Sequence, residues 1–197
     1  LDHRTGYVLA MIGGLDYDRS TFNRTVQSCR QPGSMYKPIY YSLALDSTKW
    51  SMGSLLKDIA YIPEEGEVVP WSPVKTHGTR WLTKRGERNG TAWSADGRVT
   101  MHMALARSLN RSSLNLMLDL GADKVKTWAR RLGFSTPIYA DEALALGASC
   151  VRTDESTRAF ATFARGGTQV EPIYIRRLRD RYGQLVADHT PLEEPRI

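Results

Sequence analysis

Arg30-Gln31-Pro32-Gly33-Ser34-Met35-Tyr36-Lys37-Pro38 sets a serine and a lysine three residues apart directly after a Pro-Gly bend. Residues at that spacing share one face of a helix, so the Lys37 amine can lie beside the Ser34 hydroxyl. A hydroxyl is a poor nucleophile until a neighbour takes its proton, and a lysine one turn away can be that neighbour. Ser34 opens the run after the bend, which puts its oxygen at a helix N-terminus, where unpaired N–H groups and the dipole favour developing negative charge. The pair reads as an acyl-transfer nucleophile and its base. Ser34 reads equally as an ordinary helix cap, a position serine favours for its hydrogen bonding alone.

Spacing by itself is weak, because a pattern with two fixed positions arises about once by chance in a chain of this size. Ser54-Leu55-Leu56-Lys57 and Ser72-Pro73-Val74-Lys75 repeat it. Pro73 within the latter and Pro70 before it argue for a loop. The former reads as a surface turn or short helix that soon meets Pro63.

The 197 residues suffice for one sizeable domain or most of a larger one. Hydrophobic residues make up 41% and charged residues 24%, as in a globular protein, and no apolar run approaches the roughly 18 residues of a membrane span. The chain opens on Leu1-Asp2-His3-Arg4, without a methionine or signal-like start, and reads as a segment of a longer polypeptide. A net charge of +6 is compatible with an anionic partner. Its basic residues are dispersed apart from Arg176-Arg177-Leu178-Arg179 and the Lys84-to-Arg88 segment, with no interleaved aromatics, so they read as solvated surface and no nucleic-acid partner is expected. Cys29 and Cys150 permit one disulfide or two free thiols. No Cys/His cluster has metal-ligand spacing, and neither metal nor cofactor is expected; His102 reads as a packed or helix-face residue.

Gly6-Tyr7-Val8-Leu9-Ala10-Met11-Ile12-Gly13-Gly14 is apolar, short and bounded by glycines, which predicts a largely buried strand. A turn-rich stretch leads to a helix from about Ser34 to Asp46, with Pro38 tolerated in its first turn and Ile39, Leu43 and Ala44 on a buried face. Residues 47–98 carry Trp50, Trp71, Trp81 and Trp93 without a sustained period and predict long loops with short elements. Thr100 caps a helix through Met101, Ala104 and Leu105, the pattern breaks at Ser108-Leu109-Asn110, and a second helix runs to Gly121. A third helix spans about Asp123 to Leu132, with Val125, Trp128, Ala129 and Leu132 on one face. Ala143 to Gly147 is a short apolar segment, and Thr153 opens a helix with Ala159, Phe160 and Phe163 that stops at Gly166-Gly167. Pro172-Ile173-Tyr174-Ile175 and Gln184-Leu185-Val186-Ala187 read as a hairpin.

Taken in order, these segments resemble the transpeptidase domain of the penicillin-binding proteins, above all the bifunctional class A group. The resemblance rests on Gly6 to Gly14 followed by Asp16-Tyr17, on Phe22-Asn23-Arg24, on Gln31 to Pro38, and on Ala104-Leu105-Ala106-Arg107-Ser108-Leu109-Asn110. Arg131-Leu132-Gly133-Phe134, Ala145-Leu146-Gly147 and Phe163-Ala164-Arg165-Gly166-Gly167 through Pro172 continue it over nearly the whole chain. Ser113-Leu114-Asn115 repeats the Ser-x-Asn pattern but lies inside the following helix and lacks the preceding context. Of the superfamily's three motifs, Ser-x-x-Lys and Ser-x-Asn are present, while no Lys-Thr-Gly or Lys-Ser-Gly occurs. Lys75-Thr76-His77 fails at the glycine and precedes Ser108. The missing motif is expected beyond the hairpin, so residues 1–197 read as a partial transpeptidase domain, truncated rather than degenerate.

The resemblance implies an α+β fold like that of the serine β-lactamases, an antiparallel sheet flanked by helices, incomplete on its C-terminal side and with an exposed edge. It implies peptidoglycan cross-linking: Ser34 as nucleophile on D-Ala-D-Ala stem peptides, Lys37 as base, Ser108 as proton shuttle and Asn110 as a partner of Lys37 or of the substrate amide. Donor and acceptor stem peptides are then its substrates and β-lactams its inhibitors. A membrane-anchored parent facing the periplasm or cell exterior, a glycosyltransferase domain and further cell-wall synthesis partners also follow from the resemblance. The competing readings are a β-lactam-hydrolysing or β-lactam-sensing relative and a non-catalytic peptidoglycan-binding scaffold.

Overall fold

Pro38 decides how the helix after Ser34 begins. It has no N–H to donate to the Ser34 carbonyl, and that carbonyl instead accepts from the Lys37 N–H, one residue earlier than α-helical pairing allows. The chain therefore enters through a 3-10 turn, Gly33–Tyr36, and becomes α-helical only at Lys37. The computed structural model describes residues 1–58 and 97–189. In chain order its elements are α1 (Arg24–Gln27), the 3-10 turn, α2 (Lys37–Asp46), β1 (Leu55–Lys57), β2 (Arg98–Thr100), α3 (Met101–Ala106), α4 (Asn110–Leu120), α5 (Ala122–Arg131), a second 3-10 turn (Glu142–Leu146), α6 (Thr153–Ala164), β3 (Arg177–Arg179) and β4 (Leu185–Asp188). The Ser72–Lys75 and Lys75–His77 look-alikes, Trp71, Trp81, Trp93 and the Lys84-to-Arg88 segment lie outside the described residues.

The chain divides into two compact units. One comprises Arg30–Arg131 and Thr136–Cys150 and centres on α2, whose Ile39, Tyr40, Tyr41 and Ala44 are buried. Removing an aliphatic side chain such as Ile39 from water stabilises the fold by about 1.5–3 kcal/mol. α5 packs on α2 through Val125 and Ala129, and the Trp128 indole N–H donates to Ser42 Oγ at 2.8 Å. β1 and β2 pair antiparallel with Leu56 opposite Val99, both buried, while Leu55 and Lys57 face out. Thr100 caps α3 by accepting from the Met103 N–H at 3.2 Å. His102 lies on the exposed face of that helix. α4 buries Leu114, Leu116 and Met117 and stops at Gly121.

The other unit comprises Leu1–Cys29, Leu132–Ser135 and residues from Val151 onward. α6 starts on a capping box in which the Glu155 carboxylate turns back to the Arg152 N–H. Glu155 is buried, pairs with the Arg152 guanidinium at 3.2 Å and accepts from the Ser135 N–H at 2.9 Å. Phe160 is exposed and meets Phe163 edge to face at 5.7 Å.

Two expectations for this unit change. The run Gly6–Gly14 does not form a strand ladder. It makes a single parallel bridge, Tyr7 to Ile173, with the Val8 N–H donating to Ile173 O at 3.1 Å and the Ile173 N–H to Gly6 O at 2.7 Å. The hairpin forms, but its first strand is Arg177–Arg179 rather than Pro172–Ile175, because Ile173 is taken by that bridge. Its turn is set by Asp180, whose Oδ1 accepts from the N–H groups of Tyr182 and Gln184 at 2.8 and 2.9 Å, with Gly183 at φ +82°. Among the described residues the sheet is thus two two-stranded antiparallel pairs, β1 with β2 and β3 with β4.

Candidate functional site

Lys37 is 1% exposed, and its ammonium is enclosed by one loop. Nζ donates to the Ser108 carbonyl at 2.7 Å, to Ser108 Oγ at 3.0 Å and to Asn110 Oδ1 at 2.7 Å. All three acceptors come from the junction between α3 and α4, at the point where the helical pattern breaks in sequence. Ser108 has φ +52°, the one non-glycine residue with positive φ among those described. Such a conformation costs on the order of 1–3 kcal/mol and persists only where its surroundings hold it. Here both of its oxygens are engaged by the buried ammonium.

Burial removes water from Lys37 and lowers its pKa from 10.5 to about 8. The three acceptors favour the charged form, so the fall shows desolvation outweighing them. Near neutrality about a tenth of such a lysine is uncharged, against less than about a thousandth for a free one.

Ser34 sits in the 3-10 turn before Lys37, exposed, and its hydroxyl makes no hydrogen bond among the described residues. In a 3-10 turn residues three apart eclipse, so Ser34 and Lys37 lie on the same side of the turn. The structure therefore brings Lys37, Ser108 and Asn110 into direct contact and leaves Ser34 on the solvent side of that cluster.

Contacts deeper in the same unit hold α2 and α4 together. Tyr41, one turn after Lys37, shares a 2.9 Å hydrogen bond with Ser113, one turn after Asn110, and burial pushes its phenol up to about 12. Ser112 donates to the buried carboxylate of Asp58 at 2.8 Å. The Asn115 amide donates to Lys57 O and Arg111 O, both at 3.0 Å. Ser113-Leu114-Asn115 is thus tied up structurally. Ser54 and Lys57 are also ruled out as a pair: Ser54 precedes β1, Lys57 ends it, and residues three apart in extended chain face opposite ways. Helical spacing from Lys37 and Asn110 is the signal that would have picked out Tyr41 and Ser113; nothing in the sequence marks Asp58.

A buried lysine one turn after an exposed serine, clasped by a Ser-x-Asn turn, thus lies in a unit of mixed helix and sheet. The chain belongs to the penicillin-binding protein transpeptidase domain family, whose model matches residues 1–196. It is 33% identical over 194 residues to penicillin-binding protein 1A of Neisseria meningitidis, covering 98% of this chain and 22% of the relative. The crystal structure of penicillin-binding protein 1A from Haemophilus influenzae superposes with a TM-score of 0.70 at 30% identity, over 90% of this chain and 24% of that one. PonA1 from Mycobacterium tuberculosis shares the fold, with a TM-score of 0.71 at 20% identity over 95% of this chain and 46% of that one. The chain thus spans about a fifth of the curated relative it matches. Neither cysteine is a free thiol, and among the described residues no helix is long and apolar enough to cross a membrane.

Proposed function

We propose that residues 1–197 form part of a peptidoglycan D,D-transpeptidase domain in which Ser34 is the nucleophile and Lys37 its base. The observation that carries this reading is the buried Lys37 amine, held by Ser108 and Asn110 one turn behind an exposed Ser34. As an ammonium it has three protons for three acceptors. Once neutral it has two, so one contact with the loop is released and a lone pair becomes available for the Ser34 proton. Ser34 Oγ then attacks the carbonyl between the last two D-alanines of a stem peptide. Ser108 Oγ, 3.0 Å from Nζ, relays the proton from Lys37 to the departing D-alanine nitrogen. An amine of a neighbouring stem resolves the acyl-enzyme, and β-lactams stop at the ester. Asn110 keeps Lys37 in place and has an amide N–H to offer the substrate peptide.

No Lys-Thr-Gly or Lys-Ser-Gly occurs in these residues, so an oxyanion donor of the family pattern is not supplied by this chain. Losing one such donor lowers acyl-transfer rates roughly 10²–10³-fold. The 197-residue chain alone is accordingly expected to acylate slowly, and likeness to the class A relatives supports a full-length protein that acts on the outer side of the bacterial membrane and carries a glycosyltransferase domain.

The test is labelling by fluorescent penicillin with the modified residue located by mass spectrometry. The full-length protein should label at Ser34 and the Ser34→Ala variant should not. Modification of another residue, or equal labelling of the alanine variant, would remove Ser34 from its role. The pH dependence is a second arm. Acylation should rise about tenfold per pH unit and level off near pH 8, because the base is active only when Lys37 has lost its proton.

A further inference from the structure

We propose that Gly147 is a positioning residue for the nucleophile: its bare backbone seats against Gly33, and that contact sets where Ser34 stands. The inference rests on Ser34 being the acylated residue. Gly147 ends the second 3-10 turn in the left-handed region at φ +68°, is buried, and accepts from the Gly33 N–H at 3.3 Å. A Cβ at Gly147 would lie 2.6 Å from the nitrogen and 2.8 Å from the carbonyl carbon of Gly33, and closer still to its oxygen. These are backbone atoms, so no rotamer relieves the clash and one of the two turns must move.

The two turns are not equally free to yield. Leu144 and Ala145 are fully buried, the Leu144 N–H donates to Asp141 Oδ1 at 3.2 Å, and the Ala145 carbonyl accepts from the buried Tyr40 hydroxyl at 3.0 Å. On the other side Gln31, Ser34 and Met35 are exposed. Lys37, immediately downstream, is fastened by its three hydrogen bonds. A side chain at Gly147 therefore displaces Gly33 and Ser34 while the base stays, which opens the gap the reaction has to close. A misplacement of about 1 Å costs on the order of 10² in rate.

The experiment compares Gly147→Ala with Gly166→Ala in the full-length protein. Gly166 has nearly the same φ, +63°, but a Cβ there meets nothing within 4 Å, so it reports the penalty of positive φ without the clash. Acylation by fluorescent penicillin is resolved into its rate at saturation and its half-saturating concentration, alongside the thermal midpoint. We expect both variants to lose some thermal stability, Gly166→Ala to keep its saturating rate, and Gly147→Ala to lose about 10²-fold in rate with little change in half-saturation. A Gly147→Ala rate within about threefold of wild type, or rates that fall equally in both variants, would sink the inference. If Gly147→Ala does not fold, Tyr40→Phe decides: it frees the Ala145 carbonyl, and the inference requires the saturating rate to fall about three- to tenfold, while an unchanged rate overturns it. Wild-type protein that labels away from Ser34 is a different failure, that of the nucleophile assignment.

Discussion

Helix α2 and the segment Gly6–Gly14 are apolar runs of similar length with opposite fates. Ile39, Tyr40, Tyr41 and Ala44 of α2 are buried almost completely, whereas Leu9 and Ile12 are 73% and 82% exposed and Leu15 just beyond is fully so. A helix closes its hydrogen bonds within itself and needs only a neighbour for one face, which α5 supplies through Val125 and Ala129. A strand needs a partner for its backbone before its side chains have a face to bury, and among the described residues this one finds a single bridge, at Ile173. Proteins ordinarily cover or charge such an unpaired apolar edge.

The contrast predicts a steep gradient of mutational effects. Lys37→Ala should reduce acylation of Ser34 by roughly 10²–10⁴, the usual contribution of a positioned base, and remove the rise in rate toward pH 8; stopped-flow acylation across pH 6–9 checks both. A variant that kept the wild-type rate would transfer the role of base elsewhere. Ile39→Ala, in the packed region, should lose about 2–5 kcal/mol in denaturant unfolding. Tyr41→Phe breaks one buried hydrogen bond and leaves the Ser113 hydroxyl without that partner, a loss of about 1–2 kcal/mol. A Tyr41→Phe, Ser113→Ala cycle should show coupling between the two, and additive losses would mean that the bond does not hold α2 to α4. At the small end, Leu15→Ser should change stability by less than about 0.5 kcal/mol while improving solubility, measured by unfolding and by light scattering. A large loss there would show that the exposed segment is packed in solution and would erase the contrast.

Legibility in the sequence follows the same division. The helices were readable because their signals are local: Thr100 before α3, Gly121 after α4 and the buried face of α5 all sit where spacing puts them. The Ser34 turn was readable in position but not in form, since its 3-10 geometry depends on the hydrogen bond that Pro38 cannot make. The hairpin was found with its first strand misplaced, because periodicity does not reveal that Ile173 bonds to Gly6 and Val8, over a hundred residues earlier. The Ser108-x-Asn110 turn was visible as a break in the helical pattern, but its left-handed serine was not.

By itself the sequence determined the chemistry available: a serine on a helix-opening turn, a lysine three residues on, a Ser-x-Asn turn between two helices, and the family to which this order belongs. Tertiary structure alone decided how those groups are used. It buried Lys37, gave its protons to Ser108 and Asn110 from some seventy residues away, and seated Gly147 on Gly33. Composition and periodicity report what each residue does within a turn or two of itself. Desolvation of an amine and close approach of two backbones are properties of long-range packing, and they exist only once the chain has folded.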